Sequence, residues 1–332
     1  MREIISPYLL EEDKILQEEL RPKTLKEFIG KGKLKENIEV FIKSAKKRKS
    51  PLDHVLLSGP PGLGKTTLAY CISNEIGSEI IATSGPVIER PFDLAGILTK
   101  LKPMSILFID EIHRLPKNVE EYLYSAMENY EIDLIVDKGP GAKTIKFKLA
   151  PFTLIGATTR QGLLTGPLRS RFGINLRIDY YTKEEICKIL ERSAKILNIK
   201  SDEEGLYEIA KRSRGTPRIA NRLLKRVRDF AIVKGKGEIN LEIAKYALDK
   251  MGVDEYGLDE MDKKIIETLY YKFHARPVGL KTLALALDED EGTIEEVYEP
   301  FLIREGFLEK TPKGRILTKK SIEIFFKHKL LI

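Results

Sequence analysis

Residues 59–66 read Gly59-Pro60-Pro61-Gly62-Leu63-Gly64-Lys65-Thr66, a complete phosphate-binding loop. The glycines allow consecutive backbone N–H groups to turn onto phosphate oxygens, Lys65 adds a positive charge, and the Thr66 hydroxyl stands at a helix N-terminus where it can ligate magnesium. An apolar run over 55–57 leads into the loop and a helix-forming stretch follows it, the context this chemistry needs. Binding of a nucleoside triphosphate, ATP with Mg²⁺, is the expectation.

Further along, Ile106-Leu107-Phe108-Ile109-Asp110-Glu111 reads as a buried strand that delivers two carboxylates at its C-terminal end. In a parallel sheet that end lies beside the phosphate loop. Asp110 is expected to complete the magnesium shell, and Glu111, pointing the other way, to orient the attacking water. A third strand ends at Gly156-Ala157-Thr158-Thr159-Arg160, and Thr158 is read there as the sensor of the γ-phosphate. Two arginine features follow: Arg169 and Arg171 ahead of a Phe-Gly turn, and Arg218 in Arg214-Gly215-Thr216-Pro217-Arg218. An arginine just inside a helix N-terminus opposes the helix dipole, so Arg218 calls for an anionic partner.

Positioning these groups requires an α/β architecture. Between 52 and 181, short apolar strands at 55–57, 80–82, 106–109 and 152–157 alternate with helical patterns, the signature of a helix-covered parallel sheet. Residues 182–254 show only the helical period and predict a small all-helical domain. From 255 to 332, helices near 261–273, 280–287 and 293–303 precede a hairpin pattern at 306–317, an order that suggests a winged helix. The three domains are thus 1–181, 182–254 and 255–332. A formal net charge of +7 is compatible with a polyanionic partner. Cys71 and Cys187 are isolated in apolar periodic segments, which implies no disulfide framework or zinc site and predicts buried thiols. The charged N-terminus does not read as a signal peptide and no apolar run approaches a membrane span, so a cytoplasmic protein is expected.

The order of phosphate loop, Asp-Glu strand, threonine sensor and two arginines resembles the AAA+ ATPases, ring-forming machines with active sites between subunits. Within them the chain is most similar to the RuvB family, which drives Holliday-junction branch migration in recombination and repair. The strings that carry the likeness are Leu20-Arg21-Pro22-Lys23, the run from Leu52 into the loop, Leu107 to Leu115, Phe152 to Arg160, Pro167 to Ile174, Arg212 to Ala220 and Val297 to Leu302. The resemblance implies that Leu20 and Arg21 lie at the nucleotide base, and that Gly62, Lys65, Thr66 and Thr67 hold the phosphates. It implies nucleotide contacts for Glu128, Asn129 and Tyr130, closure of the site by Tyr181 and Arg218, and a role for Arg171 as the finger given to a neighbouring subunit of a homohexamer. A clamp-loader ATPase subunit is the alternative, with an all-helical C-terminal collar in place of a hairpin.

In the third domain, the helix that would read DNA bases carries Glu295, Glu296 and Glu299, and phosphate repulsion opposes its docking. The hairpin tip Lys310-Thr311-Pro312-Lys313-Gly314-Arg315 is basic, so the wing is expected to hold duplex DNA without reading sequence, through Lys310 and Arg315. The family has arginine where this chain has Lys310 and Lys313, which keeps charge and loses bidentate geometry. It also has glycines where this chain has Phe273-His274-Ala275-Arg276-Pro277, leaving that loop's conformation open. A second hairpin, at 132–149 around a turn at 137–141, either covers the core or docks a partner. By resemblance the partner is a RuvA-type junction-binding protein, with a RuvC-type resolvase in the full complex.

Overall fold

The computed structural model describes Ile5 and residues 11–135 and 144–326. They divide into two compact units, Leu16–Tyr181 and a second formed by Thr182–Ile332 with Met1–Ile15. In the first, β1 (Val55–Ser58), β2 (Ile80–Ser84), β3 (Ile106–Asp110), β6 (Thr153–Thr158) and β7 (Ile174–Arg177) form one sheet in the order β2-β3-β6-β1-β7, all parallel. The hairpin β4 (Glu131–Ile135) and β5 (Thr144–Lys148) stands apart from it as an antiparallel pair, its predicted turn lying outside the described residues. Parallel neighbours need crossovers, and helices Lys65–Ile76 and Pro91–Leu98 supply those from β1 to β2 and from β2 to β3. Both β1 and β6 are buried along their whole length, as strands covered on two faces must be. Leu56, Leu107, Ile109, Leu154, Leu123 and Phe172 share the core against which helix Lys117–Asn129 packs.

The strand order matters more than the strand count. Placing β6 between β1 and β3 brings the C-terminal ends of all three side by side, where the phosphate loop, the acidic pair and the threonines lie.

In the second unit, helices Lys183–Ile196, Glu203–Arg212, Pro217–Lys234 and Leu241–Lys250 form the predicted helical segment, three of them capped by the side chains of Thr182, Asp202 and Asn240. A two-residue parallel bridge, β8 (Lys200–Ser201) with β9 (Glu238–Ile239), ties two of its loops and is too short to leave a sequence period. Cys71 and Cys187 are both buried free thiols. Helix Glu260–Glu267, helix Leu280–Leu287 and a helical stretch over 291–304 then precede the wing, β10 (Leu308–Thr311) and β11 (Gly314–Leu317). The middle of that stretch, Ile294–Tyr298, widens into a π turn just ahead of Pro300, whose ring nitrogen cannot donate to the carbonyl one turn back. Val278 bonds Arg315 through both backbone groups, at 2.9 and 2.7 Å, and so adds a bridge to the wing. A Cβ at Gly314 would meet the Val278 carbonyl oxygen at 2.2 Å, so this contact admits only glycine. In the loop at 273–277, His274 and Ala275 adopt φ of 53° and 54°, the left-handed conformation that glycine favours.

The loop that begins at Arg212 also joins the helical segment to the winged helix. Arg212 is buried against Glu208 and reaches Asp249 at 2.5 Å and the Val253 carbonyl at 2.7 Å. Arg214, left-handed at φ 58°, pairs with the fully buried Asp262, donates to the Gly257 carbonyl at 2.9 Å and stacks on Phe301. Burial pushes the Asp262 carboxyl up, and Arg214 draws it back.

Candidate active site

The phosphate loop is shaped by left-handed glycines. Gly59 has φ 141° and a Cβ there would stand 2.1 Å from the Ile178 carbonyl oxygen, while Gly62 and Gly64 have φ 77° and 97°. Lys65, nearly buried, donates to the carbonyls of Gly59 at 2.7 Å and Pro60 at 2.9 Å, acceptors of the kind a phosphate oxygen would be. Thr66 Oγ1 donates to Asp110 Oδ2 at 3.2 Å, so a hydroxyl from the loop and a carboxylate from β3 lie together at the helix N-terminus. Hard oxygen donors of this kind suit magnesium. Thr67 follows in the same first turn.

Glu111 leaves β3 with φ 47°, which turns its side chain away from that of Asp110. Its Oε2 accepts from Thr159 Oγ1 at 3.1 Å and lies 3.2 Å from His113 Nδ1. The threonine that touches the acidic residue is therefore Thr159. Thr158, expected as the sensor, is fully buried, 3.0 Å from the same His113 nitrogen and accepting from the Arg160 amide. Thr159 lies just past the end of β6, and because β6 is buried on both faces no polar–apolar alternation in the sequence sets the two threonines apart. Burial lowers the His113 pKa against the pull of Glu111.

Leu20 is buried, and Arg21 lies over the Tyr70 ring at 4.4 Å on helix Lys65–Ile76, a helix that also takes Pro22 and Lys23 through Cys71 and Asn74. The Tyr181 hydroxyl donates to the Leu63 carbonyl at 3.1 Å, which places Tyr181 against the loop as part of the first unit. Arg218 belongs to the second unit, second in helix Pro217–Lys234. Asn129 ends helix Lys117–Asn129 and Tyr130 caps it in a left-handed conformation. Glu128, the residue before Asn129, is 3.0 Å from Arg171, so two residues read separately from sequence meet as an ion pair.

In the winged helix, the basic residues of the tip differ in burial. Lys310 and Lys313 are exposed, but Arg315 is 7% exposed and donates to Glu299, its Nη2 to Oε2 at 3.1 Å. Lys310 pairs with Glu295 at 2.9 Å. Lys310 and Arg315 face each other across the hairpin, and Glu295 and Glu299 are one helical turn apart. The helix that sequence reading set against DNA is thus partly neutralised by the wing itself.

Three family models match the chain: the P-loop domain of the Holliday junction DNA helicase RuvB over 20–178, the RuvB AAA lid domain over 181–254, and the RuvB C-terminal winged-helix domain over 255–326. The Holliday junction branch migration complex subunit RuvB of Salinibacter ruber is 57% identical over 313 residues, 94% of this chain and 91% of that one. The subunit of the same name from Parabacteroides distasonis is 60% identical over 299 residues, 90% and 88% of the two chains. Among solved structures, the Thermotoga maritima RuvB Holliday junction branch migration motor superimposes with a TM-score of 0.81 at 48% identity, covering 92% of this chain and 97% of that one.

Proposed function

Since the chain belongs to the RuvB family of P-loop ATPases that drive Holliday junction branch migration, we propose a specific division of labour for its residues. Lys65 and the loop amides hold the triphosphate, with Gly62, Thr66 and Thr67 lining the phosphates. Leu20, Arg21 and Tyr181 border the base side. Thr66 and Asp110 would hold magnesium, which when bound neutralises phosphate charge. Glu111 orients water, and Thr159 fixes Glu111. Arg171 serves a neighbouring subunit, and Arg218 engages the phosphates from the lid.

The observation that carries this reading is the contact of Thr66 with Asp110 and of Thr159 with Glu111 at the adjacent ends of β1, β3 and β6. The hairpin β10–β11 sets aside the clamp-loader alternative, which calls for a helical collar. We further infer a homohexameric ring on duplex DNA, held without sequence preference through Lys310. A RuvA-type partner docks on β4–β5, where Ile145 and Phe147 are 52% and 41% exposed, and a RuvC-type resolvase joins the full complex.

The test is separation of a synthetic four-way junction into two duplexes by protein, ATP and magnesium, with a RuvA-type partner supplied. Arg171→Ala should bind ATP and fail to separate or hydrolyse; an arginine supplied in trans is worth on the order of 10³–10⁵ in rate. Parental turnover in that variant would remove the finger assignment.

A further inference from the structure

The surroundings of Arg171 form an assembly of their own. The residue caps the C-terminal end of the short helix Gly166–Ser170, and its guanidinium is held from three directions. Nη2 lies 3.0 Å from Glu128 Oε1, Nη1 donates to the Pro167 carbonyl at 2.8 Å, and the guanidinium carbon sits 4.5 Å from the Tyr124 ring centroid. Tyr124 is itself fixed: its hydroxyl donates to Glu120 Oε2 at 3.2 Å and lies 3.0 Å from Thr165 Oγ1. Thr165 donates to that same Glu120 oxygen at 2.8 Å and also caps the finger helix. Ring, helix and arginine are therefore tied to one buried carboxylate, Glu120. Through all this the Nε of Arg171 is buried with no hydrogen-bond partner.

A free arginine side chain gives up substantial rotamer freedom when it is ordered, and a finger ordered beforehand does not lose that freedom at the moment of reaction. An exposed ion pair contributes little strength by itself, and the Glu128 side chain is 53% exposed. Its contribution is direction: with Pro167 and Tyr124 it fixes the guanidinium plane while leaving one donor uncommitted.

We propose that Glu128 and Tyr124 are positioning residues for the finger, holding Arg171 in one subunit ready for the nucleotide of the next. This rests on the trans-acting assignment of Arg171, and it gives Glu128 service at the neighbour's nucleotide through that arginine.

Steady-state ATPase measurements and subunit mixing test it. Glu128→Gln and Tyr124→Leu should each lower kcat on the order of 10- to 100-fold while KM for ATP moves by less than about twofold, and Tyr124→Phe, which keeps the ring, should retain most of the rate. Glu128→Gln subunits keep an intact phosphate loop, and Lys65→Ala subunits keep an intact finger. Mixing the two should give more activity than their sum, as should the reference mixture of Arg171→Ala with Lys65→Ala. Recovery in the reference mixture without recovery for Glu128→Gln would place Glu128 at its own nucleotide and overturn the proposal while sparing the finger. No recovery in the reference mixture would overturn the trans assignment and the proposal together. Unchanged kcat in both Glu128→Gln and Tyr124→Leu would also overturn it.

Discussion

Arg315 and Glu299 form a buried pair between the wing and the helix beneath it, with Glu299 almost wholly out of solvent. Removing one partner of such a pair leaves the other charged and unpaired, which typically costs about 3–5 kcal/mol. Arg315→Ala is therefore expected to lower the urea midpoint of the winged helix by a corresponding amount. Lys310 shares only an exposed pair with Glu295, worth at most about 1 kcal/mol. Lys310→Ala should leave unfolding unchanged and lower the salt slope of duplex binding by roughly one. An Arg315→Ala protein of parental stability that binds duplex poorly would reverse the two roles.

Thr158 ends β6 and Thr159 is the first residue beyond it. Thr159→Val removes the donor to Glu111 Oε2 and should lower ATP turnover on the order of 10²-fold with nucleotide affinity retained. Thr158→Val leaves that contact intact and should show in unfolding curves first, because its hydroxyl is buried against His113. Turnover and thermal unfolding measured on both variants decide between them.

Arg214 is four residues from Arg218 and anchors the winged helix to the lid through Asp262. Arg214→Ala strands a fully buried carboxylate, so a loss of about 3–5 kcal/mol is expected. Adding Asp262→Asn should recover part of it, and the double-mutant cycle measures how much. Strict additivity of the two substitutions would mean that the pair is not coupled.

His54 makes stability depend on pH. The Leu154 amide donates to Nδ1 at 2.8 Å, so that nitrogen carries no proton, and Nε2 donates to the Met127 carbonyl at 3.0 Å. Burial holds its pKa below the ordinary value of 6.5. The unfolded chain therefore binds the proton first: stability is full above about pH 6.5 and falls as pH drops towards the folded-state pKa, by about 1.4 kcal/mol per unit separating the two. Urea unfolding between pH 8 and 5, with His54→Gln as the flattened reference, follows the effect.

Much of this molecule is legible in one dimension. The phosphate loop, the Asp110-Glu111 strand end and the strand–helix alternation depend on contiguous residues, because a turn's dihedral needs and a helix or strand period act over a few positions. The helical segment and the winged-helix order are readable for the same reason. What the chain order could not state was which side chains meet at the strand ends, so the contact of Thr159 with Glu111 appears only in the fold. Nor could it state charge cancellation across distance: the acidic helix and the basic hairpin look opposed along the sequence, yet Glu295 and Glu299 meet Lys310 and Arg315 once β10 folds back. The same holds for Glu128 and Arg171, 43 positions apart and joined only when the finger helix returns to Tyr124. Local propensity chooses the elements; long-range packing chooses which charges are spent on each other and which are left for DNA and nucleotide.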